Sequence, residues 1–344
     1  MPIAYTEGIR LPTKVCFDCQ LSLGDLSEYQ RIRDPWNADT FLAKIKSVCG
    51  AGLTVSLRKD LKEEEPVPEL TVSLAEPLSA LERILNSEDF VFRGQVKEYY
   101  SDRRAWMAPA MFRRQAFYDL KDEETAIDKL AFDHQHAAME WIAALSEVLP
   151  PAAVERRYYF PNNSGFCRKD VSLLVERPWI VAVMQHYGYP TQLLDVTENL
   201  ETALWFATHQ FQQSSLAGVY EYVEATFKPD LLSKKWPTIY LFSKEGIIDW
   251  PPSNIPVDSI ERPSAQSGKF LNFGRVTVAP KYRDYISFDI EPWEPSEHVS
   301  AVLKISPRLL DSIIKRRAEE LFPLADPFVE VLQRTKPQGF VAYR

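Results

Sequence analysis

An α+β fold, in which helices cover a mixed or split β-sheet, is the architecture this sequence predicts. Three observations carry it. Segments rich in aromatic and β-branched residues, DFVFRGQ, LAGVYEYVEA and PTIYLFSK, read as strands. Before and between them, apolar residues recur at three- and four-residue spacing, in PLSALERIL, in the stretch from Asp122 to Leu149 and in NLETALWFA, which is the period of a helix with one buried face. At 344 residues, the chain is long enough to bury a substantial core, as one large domain or two unequal ones.

Taken in order, KVCFDCQLSLG is strand-like, and DTFLAKIKSVCGAGL is a short helix ending at Gly50 or Gly52. LTVSLRK alternates as a strand does. The acidic, proline-containing DLKEEEPVPEL then reads as an exposed connection. It divides a small N-terminal region, residues 1–75, from a main domain, residues 76–344; a surface loop within one domain has the same signature. Leu78, Leu81 and Ile84 mark a short helix face, and DFVFRGQ runs as a strand into a sharp turn at Gly94. The helix from Asp122 to Leu149 carries His134 and His136, which are two apart and so point to different faces. Ordinary surface and core-edge places suit them better than a shared metal.

FPNNSGFCRKD is a loop. A helix begins near Pro178, whose missing N–H costs little in a first turn, and runs through Trp179, Ala182 and Val183 to His186 before HYGYPTQ breaks it. Asp195 stands three residues before Glu198, the spacing of a capping box, and Thr197 is a second candidate cap. The helix behind them places Leu200, Ala203, Leu204, Ala207 and Phe211 on one face. WPPSNIPVDSIERPSAQSGKFLNFG is a long polar excursion, and a loop of such length is mobile or functional. EHVSAVLKISPRLLDSIIKRRAEEL then reads as a strand and a helix, with Ser306 as cap and Pro307 in the first turn.

Composition narrows the function. The formal net charge of −8 disfavours nonspecific binding to a phosphate backbone, which needs concentrated Lys and Arg. CFDC, holding Cys16 and Cys19, is half of a zinc site at best, so no metal is expected. No run of 18 uncharged apolar residues occurs and MPIAYTEGIRLPTK is not signal-like, so a cytoplasmic protein without membrane association is expected.

Three separated pieces, FVFRGQ, HYGYPTQLLDVTENLETALWFA and RPSAQSGKF, together resemble the FRG domain, a family named for its Phe-Arg-Gly motif. VLKI with a following helix and ELFP resembles its C-terminal pattern, so the likeness spans about residues 76–335. The family occurs widely in bacterial and phage-linked proteins, often in defence loci, which implies a role in bacterial and phage conflict. The order of the three motifs is also similar to that of ADP-ribosyltransferases. There an early strand offers Arg or His to NAD, a second strand region offers Tyr or Ser/Thr, and a late motif offers Glu or occasionally another polar residue. This resemblance implies NAD as substrate, a nucleotide-binding site, an ADP-ribosyltransferase-like fold and a protein or nucleic-acid acceptor. The departure is Gln266, which stands where the late Glu is expected.

Each candidate has two readings. Arg93 offers a planar fork for phosphate or carboxylate with Gly94 permitting close approach, or it pairs with a buried carboxylate such as Asp195. His186 is an acid–base group or ribose partner; Tyr187 stacks on a ligand ring; both also suit the end of a helix. Thr191 bonds a ligand or its own turn. Asp195 caps a helix or orients Arg93. Gln266 and Ser267 hold the ribose or nicotinamide with Gly268 beside them, although a neutral amide cannot balance a developing cation as a carboxylate does. A ligand-sensing or protein-interaction module without catalysis is the competing reading.

Overall fold

A computed structural model describes residues 38–48, 52–61, 66–87, 90–101, 104–105, 107, 137, 140–149, 179–191, 193–213, 220–227, 235–243, 249–250, 260–272, 275–278, 286–289, 298–323, 325–337 and 340. The expected strand at Cys16, the loop FPNNSGFCRKD and most of the helix from Asp122, including His134 and His136, lie outside them; Trp141 and Leu145 are buried in its helical end.

The chain builds helix α1 (Ala38–Val48), strands β1 (Leu53–Arg58) and β2 (Val67–Val72), helix α2 (Ala75–Ser87) and strand β3 (Phe90–Gln95). A short hairpin follows, β4 (Tyr100–Ser101) with β5 (Arg104–Ala105). Helix α3 (Trp179–His186), β6 (Leu193–Thr197) and helix α4 (Leu200–Thr208) lead into a ribbon of β7 (His209–Gln213) and β8 (Tyr220–Glu224). Then come β9 (Thr238–Ser243), β10 (Asp249–Trp250), helix α5 (Glu261–Ala265), β11 (Gly268–Asn272), the paired β12 (Arg275–Val278) and β13 (Ile286–Asp289), and β14 (Val299–Ile305). Helices α6 (Leu310–Ile313), α7 (Ala318–Leu321) and α8 (Pro327–Thr335) follow a 3₁₀ turn over Pro307–Leu309.

Eight strands form one mixed sheet in the order β1-β2-β14-β9-β3-β6-β11-β10, parallel between β14 and β2 and antiparallel elsewhere. Strand periodicity sorts the core. Phe90, Phe92, Ile239 and Leu241 face a cluster completed by Phe41, Leu81, Leu204 and Ala207 of the helices. The alternate residues Val91, Tyr240 and Phe242 join Leu194 and Val302 in a second cluster. A third, with Trp141, Val183, Tyr187, Phe270 and Phe328, packs α3 and α8 together.

Several expectations change. The acidic run does not end in an open connection, because VPELTV is strand β2, and β1 and β2 extend the sheet through β14. Residue 304 of β14 is a lysine that is 1% exposed, and its Nζ lies 3.1 Å from Glu98 and 3.9 Å from Glu69. Arg58 of β1 pairs with the same two carboxylates and with Asp60, so one buried charge network ties β1, β2 and β14 together. Burial pushes the Lys304 pKa down against the opposing pull of Glu98 and Glu69. The RPSAQSGKF stretch is not irregular loop but helix α5 followed by β11. Ser306 makes no side-chain cap bond. The helix expected beyond it is broken into α6 and α7 with extended residues between.

Candidate functional site

Strands β3 and β6 are neighbours in the sheet, yet they share one paired position, Phe92 opposite Thr197. Beyond it the ladder stops, and a cleft of about 420 Å³ opens against Arg93–Val96 on one side and Asp195–Thr197 on the other. Its volume is that of a small-molecule site. Two residues make the splayed arrangement stable. Arg93 Nη1 donates across the gap to the carbonyl oxygen of Asp195, 2.6 Å away, where a regular ladder would have offered a backbone N–H. Gly94 lets helix α4 lie directly on β3: a Cβ built there would sit 1.9 Å from the Ala203 carbonyl oxygen. Its glycine therefore serves helix packing, not the approach of a ligand to Arg93.

Asp195 is not a helix cap. It lies inside β6, opposite Phe270 of β11, and its Oδ2 accepts from Gln185 Nε2 at 2.8 Å. Asn199 caps α4 by accepting from Thr202 N, while Thr197 accepts from Asn199 N and donates to the Gln266 carbonyl. Gln185 in turn is fixed by Thr191, whose backbone N–H and hydroxyl both donate to Gln185 Oε1, at 2.9 and 2.8 Å. Because both groups donate to that oxygen, the Gln185 amide nitrogen must face Asp195. Thr191 is fully buried and also accepts from Leu193 N, so it acts on the cleft through Gln185 rather than by touching a ligand. Asp195 is the one acidic side chain among the described residues lining the cleft, and Arg93 the one Arg or Lys.

The three candidates Arg93, His186 and Gln266 all line this cleft. The His186 ring meets Phe270 edge-on at 4.7 Å, with its Nε2 shielded from solvent beside Gly268. Burial and the nearby Arg262 hold its pKa down at about 3, against a smaller opposing effect of Gln266. It is neutral at physiological pH and too weak a base for proton transfer there. Gln266 Nε2 donates to Leu321 O at 3.1 Å, so this amide joins the end of α5 to α7.

Tyr187 and Ser267 lie elsewhere. Tyr187 is buried; its hydroxyl donates to Asp326, its ring meets Phe328 edge-on, and the Arg262 guanidinium sits 4.6 Å from its centroid. With its hydroxyl bonded and its ring packed against Phe328 and Arg262, it is a core group, and burial followed by the Asp326 charge pushes its pKa up. Ser267 takes a left-handed φ of +46° after α5, where its N–H donates to Ser264 O and its carbonyl accepts from Glu198 N.

Sequence reasoning passed over the aromatic part of the lining. Phe206 of α4, Phe211 and Tyr222 of the β7–β8 ribbon and Phe322 after α7 form it, together with His209. Phe211 is not on the α4 face at all, since that helix ends at Thr208. Tyr222 and Phe322 stack at 5.1 Å and 29°, and Phe206 meets Tyr222 edge-on at 5.7 Å. The cleft thus combines an aromatic wall with one guanidinium, one carboxylate and several amides. That combination suits a ligand with a planar ring and a polyhydroxylated or charged portion. Among the described residues there is no cluster of three or more metal-ligating side chains, and no helix long and apolar enough to cross a membrane.

Residues 88–215 match the model of the FRG domain, in support of the resemblance carried by FVFRGQ and the central motif. The match takes in Arg93, Gln185, His186, Asp195, Phe206 and His209, whereas Tyr222, Gln266 and Phe322 complete the cleft from outside it. No curated protein and no solved structure matches the chain.

Proposed function

We propose that the cleft of this FRG domain binds a nucleotide, with NAD as the first ligand to test, and works as an ADP-ribosyltransferase-like site in bacterial and phage conflict. The observation that supports this reading is the convergence of Arg93, Asp195 and Gln266, from three separated motifs, in one cleft with a cluster of aromatic rings. In such a reaction the glycosidic C–N bond of NAD breaks, and nicotinamide leaves with the bonding pair. Positive charge develops on the ribose, and an acceptor oxygen or nitrogen of water, protein or nucleic acid adds and releases its proton. Gln266 cannot balance that charge. Asp195, held by Gln185, takes the electrostatic role in this reading, and Arg93 holds a phosphate or ribose oxygen.

Binding without turnover is the second reading. It is favoured by the internal bonds that already engage Arg93 and Gln266, and by the neutral His186. Calorimetric titration with NAD, paired with chromatographic detection of free nicotinamide, separates the two. Binding with release that is lost in Asp195→Asn supports catalysis. Binding with no release selects the sensing role, and neither binding nor release removes NAD from both.

A further inference from the structure

We infer that His209 is the hydrogen-bond acceptor by which the aromatic end of the cleft selects a planar ligand ring bearing an exocyclic amino group. The inference rests on the nucleotide reading and names the ring chemistry that the site prefers.

Helix α4 ends at Thr208, whose carbonyl accepts from Ala225 N at 2.8 Å, and side chains supply further donors to the last turn. His209 Nδ1 lies 2.8 Å from the Trp205 carbonyl oxygen. A carbonyl only accepts, so the proton of the neutral imidazole is on Nδ1. The neighbouring Thr208 hydroxyl, 3.1 Å from Nδ1, directs its own proton to the Leu204 or Trp205 carbonyl, so it too is an acceptor toward Nδ1. The imidazole stacks on the Trp205 indole at 4.0 Å and 10°, which fixes its plane and covers one face. Nε2 therefore holds a lone pair in a defined direction. Among the described residues it makes no hydrogen bond, and it is not shielded from solvent. Burial keeps the His209 pKa below its ordinary value, against the Trp205 carbonyl and Glu224, so Nε2 remains an acceptor at neutral pH.

His209 and the rings of Phe206, Tyr222 and Phe322 line the same cleft. A planar ring brought to that wall meets a fixed acceptor. An amino group there forms a hydrogen bond, whereas a keto or acetyl oxygen faces the lone pair and forms none. NAD offers this chemistry at two places, the adenine amino group and the nicotinamide carboxamide.

The test measures binding to the full chain of NAD, of nicotinamide hypoxanthine dinucleotide, which replaces the adenine amino group by oxygen, and of the acetylpyridine analogue, which replaces the carboxamide. The expected result is that the wild type prefers NAD by about tenfold over one analogue. His209→Phe, which keeps the stack on Trp205, abolishes that preference; His209→Gln restores part of it and serves as the test if the Phe variant does not fold. The analogue that suffers identifies which end of NAD is read. Equal binding of all three dinucleotides, or a preference that survives in His209→Phe, overturns the assignment and leaves nucleotide binding intact. If NAD does not bind, the NAD reading falls, and adenosine against inosine and nicotinamide against acetylpyridine judge His209 independently. Equal binding within both pairs, or none, overturns it.

Discussion

Replacing Gly94 by Ala tests the contact on which the cleft is built. The added Cβ would lie 1.9 Å from the Ala203 carbonyl oxygen and 2.7 Å from the Ala207 nitrogen. Both are backbone atoms, so no side-chain rotation relieves the clash. To bring the shorter distance to 3.0 Å, α4 and β3 must separate by about 1.1 Å, in a packed interior that tolerates even one extra methylene poorly. That separation disturbs Leu200, Ala203, Leu204 and Ala207, all buried on α4. The expected cost is about 3 kcal/mol, the upper part of the range for overpacking and a large share of a typical domain's stability. Urea unfolding followed by tryptophan fluorescence reads it as a lower midpoint, with buried Trp141 and Trp205 as reporters. Gly268→Ala is the internal comparison, because its nearest obstacle, at 2.4 Å, is the His186 side chain and its nearest backbone atom, Pro263 O, is 3.2 Å away, so it should cost less. A Gly94→Ala midpoint within experimental error of the wild type would refute the close packing of α4 on β3.

Two further outcomes concern buried charge. His186 has a folded-state pKa of about 3, below the 6.5 expected when it is exposed, so the unfolded chain takes up its proton first. Its contribution to stability is intact above pH 6.5 and falls by about 1.4 kcal/mol per pH unit down to about pH 3. His186→Phe should therefore lose less stability than the wild type between pH 7 and 5, by roughly 2 kcal/mol; equal slopes in urea titrations would count against the buried neutral imidazole. Lys304→Met removes one partner of the buried Glu98 carboxylate and should cost about 3 kcal/mol. Adding Glu98→Gln should recover part of that loss in a double-mutant cycle, and strict additivity would show that the pair is not coupled.

Local chemistry explains why some of this was legible from the sequence and some was not. FVFRGQ and PTIYLFSK announce their strands because half or more of each is aromatic or β-branched, and both are central in the sheet. Asp195 is ambiguous in sequence because capping-box spacing is a pattern of neighbours, whereas the true cap, Asn199, has Thr202 rather than Glu three residues on and caps by its side chain alone. Tyr187 and Thr191 looked like ligand residues because their partners were invisible: Asp326 is 139 positions away, and Gln185 is linked to Thr191 only after the chain turns at Gly188, with φ +100°. His209 directly follows the apolar run of α4, and nothing in its neighbours marks it as a cleft residue. Phe322 lay in the ELFP pattern, but its place over the cleft depends on tertiary packing against Tyr222.

The sheet order has a consequence for synthesis. Residues 88–215 contain β3 and β6, but the strands beside them, β9 and β14 on one flank and β11 on the other, are translated afterwards. Phe322 and Asp326 come later still. A nascent chain that has just completed the recognisable FRG segment therefore has Arg93, Asp195 and His209 but lacks the strands that hold β3 and β6 in register and the ring that roofs the cleft. The cleft is therefore completed only after Phe322 has been synthesised, well beyond the end of the matched segment.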